Sequence, residues 1–355
     1  MPKLRMLVVS KDNGDTKMLL PIARESMRVG HEVNILAEGV GVAHYSAAGI
    51  VPFFTDAPNP DPKSSFNWDA LFRYLNPQVV LIGFPGPDNL SHTAGLAANQ
   101  KGIPVVGVED YWGGVERNPE VKYNLVLTID DYAKQIARQS VGPRVPISII
   151  GNHAIPGADY HSPDSVAEGM KKIRERFDEV FIFGGGGELH TTAELKLLVA
   201  SLEKTPGNWC LIPRYHPNVK KKTATAIGDS RTFEEVWNKM LLPLGDRVVR
   251  LDVGNSDDMA MLCDGYFSGL GSSMSTAIAS GKPTVAVLTD ATVLALRRES
   301  KLDTVPAVYL GGAQVLSKVG NVRPLLIKPS KAIQQKLQPL NPALAIQEIE
   351  DMLLF

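Results

Sequence analysis

The feature that most constrains this chain is an alternation of short β-branched runs with helical patterns. "LRMLVVS" (4–10) reads as a buried strand, and "TKMLLPIARESMRVG" (16–30) as an amphipathic helix closed by Gly30. "HEVNILAE" (31–38), "GIVPFF" (49–54), "QVVLIGF" (78–84), "IPVVGVE" (103–109), "YNLVLTI" (123–129) and "VPISII" (145–150) continue the strands. Between two of them "DNLSHTAGLAANQKG" (88–102) reads as a helix with a glycine stop. Strands that alternate with helices build parallel, doubly wound sheets, and short apolar runs suit strands covered on both faces.

A polar passage rich in turn-formers, "GNHAIPGADYHSPDS" (151–165), interrupts the pattern and reads as a linker. The alternation then restarts. "EVFIFGGGG" (179–187) is a strand running into glycines, and "ELHTTAELKLLVASLEK" (188–204) a helix. "NWCLIPRY" (208–215), "DRVVRLD" (246–252), "GYFSGL" (265–270) and "PTVAVL" (283–288) read as further strands, and "NPALAIQEIEDMLLF" (341–355) as a short amphipathic helix. The expectation is two Rossmann-like α/β domains, 1–160 and 161–330, facing each other across a cleft. A helical tail, 331–355, is expected to pack back across that cleft. Ligands are expected at the carboxyl ends of the strands.

Composition narrows the function. The 355 residues are enough for two domains, and 44% hydrophobic with 21% charged is ordinary for a globular protein. A formal net charge of −1 gives no basic field for nucleic acid. Cys210 and Cys263 lie in apolar segments with neither metal-ligand nor disulfide spacing, which fits a reducing compartment. No apolar stretch of about 18 residues could span a membrane, and the apolar run at the start is too short for a signal peptide. A cytoplasmic location is therefore expected. The Lys220–Lys222 run reads as a solvated loop, with contact to an anionic membrane surface as the other use. No obvious interface segment stands out, which leaves a homo-oligomer open. No HExxH, DxD or Cys/His cluster appears, so neither a metal nor a cofactor is required.

Three segments of the second half could carry chemistry. In "FIFGGGGELHTTAELK" a strand enters four glycines, Gly184, Gly185, Gly186 and Gly187, and a helix leaves them. Glycine allows backbone N–H groups close to a ligand, and a helix N-terminus favours anions; one or two glycines would suffice for a tight packing turn. "LIPRYHPN" places Arg214, His216 and Asn218 at a strand's carboxyl end, where they could meet phosphate or sugar, or simply form a polar loop. In "CDGYFSGLGSSMSTAIASGKPTVAVL" the Gly271, Ser272 and Ser273 turn would present donors to a diphosphate. An N-cap serine would account for one of these residues but not for the whole run. In the first half, "SKDNGDTK" follows the first strand. Its Asn13, Gly14, Asp15 and Lys17 offer hydrogen bonds, close backbone approach and a cation, or an ordinary turn capped by Asp15 or Thr16.

These segments, in this order, resemble the donor-binding half of GT-B glycosyltransferases and of UDP-N-acetylglucosamine 2-epimerases. There a strand-to-Gly loop, an "HPN"-like element and a Gly/Ser turn with a "GKP" helix end form the site. "VVLIGFPGPDNLSHTAGLAANQKGIPVVGVEDYWGG" resembles the epimerase strand–helix–strand ending in "HVEAG", with Glu109 at the motif's glutamate and Gly107 in place of its histidine. "ISIIGNHAI" resembles the element that precedes the linker. The relatives' ribose-binding glutamate falls near Ser275 or Thr276, which leaves a hydroxyl for that contact.

The resemblance implies a nucleoside-diphosphate sugar, most simply a UDP-sugar, on the second domain, and an acceptor hydroxyl against the first. Helix N-termini would neutralise the leaving diphosphate without metal. An inverting transferase needs a general base; Glu109 is the first choice, Asp110 the second, and Asp88 in "PGPDN" a third. Tyr111 and Trp112 beside the acids could stack on a sugar, or simply pack. An epimerase-like isomerase or hydrolase, and a non-catalytic nucleotide-sugar-binding subunit, are the alternative readings.

Overall fold

The computed structural model describes residues 3–54, 66–84, 90–157 and 160–354. The chain forms two compact units. The first comprises Met1–His153 with Gln338–Phe355, the second Ala154–Leu337.

In the first unit β1 (Arg5–Ser10), β2 (Glu32–Ala37), β3 (Phe53–Phe54), β4 (Val79–Ile82), β5 (Val105–Val108), β6 (Leu125–Thr128) and β7 (Ile147–Ile149) form one parallel sheet. Its order is β3-β2-β1-β4-β5-β6-β7, the doubly wound arrangement in which the order reverses beside β1. β4, β5 and β6 are buried at every position, as strands covered by helices on both faces must be. Leu7, Val9, Val80, Ile82, Val105 and Val126 pack together in the core of this unit.

In the second unit β8 (Glu179–Gly185), β9 (Trp209–Tyr215), β10 (Gly265–Ser268), β11 (Thr284–Val287) and β12 (Gln314–Leu316) form a parallel sheet of order β12-β11-β10-β8-β9. Phe181, Phe183, Leu211, Trp209, Trp237 and Phe267 build its core.

Two sequence expectations change. "DRVVRLD" is not a strand: only Val248 bridges Leu211, and a 3-10 segment precedes it. Arg247 lies over the Trp209 ring at 4.6 Å and Arg250 over Tyr215 at 5.8 Å, so side chains rather than a ladder hold this segment to the sheet edge. β12, by contrast, has no counterpart among the expected strands. It is three residues long and buries only Leu316, too little pattern to stand out.

The tail divides. Lys331–Lys336 is helical within the second unit, and the helix Pro342–Leu354 packs on the helix Asn13–Arg28 of the first. Its approach is fixed by a parallel bridge from Asn152 to Pro339. Gly151 makes this closeness feasible: its φ is +86°, and a Cβ there would lie 2.1 Å from the Pro339 carbonyl oxygen. Gly151→Ala is expected to cost about 2–3 kcal/mol, from the backbone conformation and the overlap together. Calorimetry on the purified variant should show a fall in Tm of several degrees; an unchanged Tm would mean that the tail is not seated here.

Candidate functional site

Parallel sheets gather the ends of successive strands on one edge, so the expected site residues should collect by edge, and they do. At the carboxyl edge of the first sheet, the loop after β1 leads into the helix Asn13–Arg28. Its N-cap is Asp12, one turn earlier than Asp15 or Thr16. Asp15 instead lies inside the first turn, fully buried, and its Oδ2 accepts the Lys11 N–H at 3.1 Å. Burial, reinforced by the neighbouring Asp110 and Asp12 charges, pushes its carboxyl up to about 7. Asn13 is exposed and its Oδ1 meets His44 Nε2 at 2.7 Å.

Glu109 and Asp110 follow β5 on the same edge. Glu109 is wholly enclosed; Oε1 accepts the Val115 N–H at 3.2 Å, and Oε2 has no hydrogen-bond partner among the described residues. Desolvation holds its carboxyl well above the usual range, with Asp110 and Asp130 adding to the effect. Asp110 is only half-buried and stands over the start of the helix Asn13–Arg28: a Cβ at Gly14 would lie 1.8 Å from its Oδ2. Desolvation raises the Asp110 carboxyl and Arg117 opposes the rise. Arg117, which no sequence signal singled out, also opposes the rise at Asp12 and donates to the Phe84 carbonyl at 3.2 Å. Asp88 lies outside the described residues.

Lys17 is half-buried and raises a second unforeseen residue. His153, from the "GNHAI" segment after β7, has an imidazole driven down to about 4 by desolvation and by the Lys17 charge. It is therefore neutral at physiological pH. Trp112 is buried and donates from Nε1 to Asp130 Oδ2 at 2.9 Å, so it packs and orients rather than offering a stacking face. Tyr111 meets it edge to face, with ring centres 5.1 Å apart.

At the carboxyl edge of the second sheet, β8 ends in Gly184 and Gly185, and the 15-residue helix Glu188–Leu202 begins after Gly187. Neighbouring side chains fill the glycine surfaces. A Cβ on Gly184 would lie 2.2 Å from Tyr266 Oη, and one on Gly187 2.3 Å from His190 Cε1. The Gly187 N–H donates to His190 Nε2 at 2.7 Å. A Cβ on Gly185 would lie 2.9 Å from Thr191 Cγ2 and one on Gly186 3.0 Å from His190 Nε2, so all four glycines are closely packed, while Gly185, Gly186 and Gly187 remain half-buried at the edge.

Arg214 closes β9, and two of its donors hold the Leu251 and Gly254 carbonyls at 2.8 and 2.7 Å. Its charge stays at the edge while its fork is engaged in fixing the 251–254 loop. His216 is exposed, and desolvation, then Lys222, lowers its pKa. Asn218 falls in a short helix, Pro217–Lys220, and its side chain lies outside the description.

The turn after β10 is tied down from beneath. The Gly271 N–H donates to Ser268 Oγ at 2.9 Å, and Ser268 Oγ donates to the Gly184 carbonyl at 2.7 Å. The Gly269 N–H reaches Glu194 Oε2 at 3.3 Å. Ser272 is exposed and its side chain makes no cap bond. Ser273 is buried against the Tyr266 hydroxyl. Ser275 is buried, and Thr276 is fully buried with its Oγ1 at 2.8 Å from the Ala154 carbonyl and 2.9 Å from Asp257 Oδ1. Thr276 therefore has its polar partners inside the second unit, unlike the ribose contact expected of it. Among the described residues no cluster of His, Cys, Asp and Glu has metal-binding geometry, and no helix is long and apolar enough to cross a membrane. Cys210 and Cys263 are buried free thiols, pushed up to about 12 by desolvation.

No family model matches the sequence, and no curated protein matches it. Solved structures do. A glycosyltransferase from Rickettsia africae is 14% identical, with a TM-score of 0.65 over 99% of this chain and 98% of that one. Acinetobacter baumannii MurG is 15% identical, with a TM-score of 0.60 over 99% and 100%. A UDP-GlcNAc 2-epimerase from Neisseria meningitidis, bound to UDP-GlcNAc, is 14% identical, with a TM-score of 0.61 over 98% and 99%. The fold is that of the GT-B glycosyltransferases and UDP-GlcNAc 2-epimerases. At these identities the likeness defines an architecture, and chemistry must come from the residues.

Proposed function

We propose that the chain is a glycosyltransferase that takes its sugar from a nucleoside diphosphate, with UDP as the first nucleotide to test. The second unit binds the donor, and the first carries the acid–base group that accepts the proton of the acceptor hydroxyl. One observation carries this reading: in a GT-B fold, the glycine-rich end of β8, the Arg214 end of β9 and the Gly271–Ser273 turn share one sheet edge. Backbone N–H groups and a hydroxyl there suit a diphosphate. Ser272 is the exposed hydroxyl of the turn, and the Arg214 charge adds a favourable field.

On the first unit Asp110 takes the base role ahead of Glu109. A general base must come within hydrogen-bond reach of its proton. Glu109 is sealed beneath the 114–118 loop, whereas Asp110 is only half-buried beside a helix N-terminus, and the helix dipole and Arg117 oppose the rise that desolvation gives its carboxyl. Glu109 then acts through its hydrogen bond to Val115, which holds the loop that carries Arg117.

Thermal melting against nucleoside diphosphates and their sugars tests the donor site. Millimolar UDP or a UDP-sugar is expected to raise Tm by about 2–5 °C, with the rise lost in Ser272→Ala, Ser273→Ala. No shift with any nucleotide would remove the donor reading. Product analysis without acceptor separates the alternatives: epimerised or hydrolysed sugar would identify the isomerase, and nucleotide binding with no turnover under any condition a non-catalytic subunit.

A further inference from the structure

The "GKP" segment stays unexplained by the donor site. The helix Ser273–Ala279 starts at the Gly/Ser turn and ends before Ser280–Pro283, so Lys282 emerges at the opposite edge of the sheet, just ahead of β11. There Glu179 opens β8, Asp264 precedes β10, and Arg323 and Lys328 come from the segment after β12. Together they line a cavity of about 530 Å³, within the range of small-ligand sites.

Its charges do not cancel. Arg323 pairs with Glu179, and its Nε and Nη2 hold the Pro206 carbonyl at 3.1 and 2.9 Å. Arg174 pairs with Asp264 at 2.7 Å and binds the Leu262 carbonyl at 2.8 Å. Each carboxylate of the cavity thus has its own guanidinium. Lys282 and Lys328 pair with no carboxylate among the described residues. Lys282 is half-buried and Lys328 exposed, and both line the cavity. Ser280 adds a hydroxyl to the lining.

We propose that this cavity is a second ligand site on the second unit, one that binds a small phosphate dianion between Lys282 and Lys328. Two ammonium groups match the two charges of a phosphate, and point-charge lysines serve phosphate without demanding bidentate geometry. The volume leaves room for a phosphorylated sugar as well as the free ion. The two sites stand at opposite ends of the helix Ser273–Ala279 and share no lining residue.

Isothermal titration of the full chain with inorganic phosphate, and separately with a hexose 6-phosphate, tests this at constant ionic strength. Saturable binding of at least one of them at millimolar concentration or tighter is expected. Lys282→Gln or Lys328→Gln alone should weaken it about five- to tenfold, and the double substitution about thirtyfold or more. The UDP-dependent Tm shift of the same variants should be unchanged. Tighter binding of the hexose phosphate would identify a phosphorylated sugar as the ligand, and equal binding the free ion. Absence of saturable binding, or binding that both variants leave intact, would overturn the proposal. Because the titration needs no nucleotide, its outcome is separate from the fate of the donor site.

Discussion

Asp110→Asn is expected to lower glycosyl transfer about 10²–10⁴-fold, the usual contribution of a positioned general base. The nucleotide-dependent rise in Tm should survive, because the donor residues belong to the other unit. Asn keeps the shape of the side chain and removes only its ability to take a proton. Gly14→Ala provides an independent check. A Cβ there would lie 1.8 Å from Asp110 Oδ2 and must displace the carboxylate, so turnover should fall while Asp110 remains chemically intact. Glu109→Gln should behave differently. Burial raises the Glu109 carboxyl well above its ordinary range and favours the neutral form, which the amide also presents, and the amide can still accept from Val115. A loss of less than about tenfold is expected. Full activity in Asp110→Asn, or a larger loss in Glu109→Gln than in Asp110→Asn, would reverse the assignment.

The second large effect concerns stability and pH. Glu194 sits on the helix Glu188–Leu202, wholly buried, with Oε2 accepting from Gly269 and Oε1 from Thr292 Oγ1 at 3.0 Å. Desolvation pushes its carboxyl up to about 8. The folded chain therefore binds this proton more tightly than the unfolded chain does. The associated stability is complete below the ordinary glutamate pKa of 4.5 and is lost as pH rises through about 8. Between pH 5 and pH 8.5 the loss should be on the order of 3 kcal/mol.

Glu194→Gln removes the titration. Its amide oxygen can take the Gly269 N–H while its NH₂ donates to Thr292 Oγ1, whose own proton turns to the Val287 carbonyl at 3.5 Å. The variant should match the parent near pH 5 and melt roughly 5–10 °C higher near pH 8.5. Parallel Tm curves for the two proteins across this range would exclude Glu194 as the titrating group. Asp15 and Glu109 are raised in the same sense and should leave a residual slope in the variant.

The sequence by itself determined the architecture. Runs such as "QVVLIGF" and "YNLVLTI" have one reading, a strand hidden on both faces, and the helices between them impose parallel order. The same topology fixed which residues meet: Asp15 and Asp110, far apart in the chain, both follow strands and so share an edge. Strand assignment failed where periodicity was short or misleading, at β12 and at "DRVVRLD", because stacking of Arg247 and Arg250 on aromatic rings leaves no signature in a pattern of apolar residues.

Only the tertiary structure decided which candidate groups are exposed and in what protonation state. Glu109 and Asp110 are neighbours in sequence, yet one is sealed and the other only half-buried. Successive residues after a strand face opposite ways, and the 114–118 loop covers one of them. Thr276 and Arg214 look available in the sequence and are bonded to Ala154, Asp257, Leu251 and Gly254. Arg117 lies in no motif, and His153 and Glu194 are not singled out within the segments that hold them; the shifts of these two come from desolvation and, at His153, from the Lys17 charge brought near by folding. Residue identity sets what a group can do; its solvent and neighbours, which exist only once the chain has folded, set what it does.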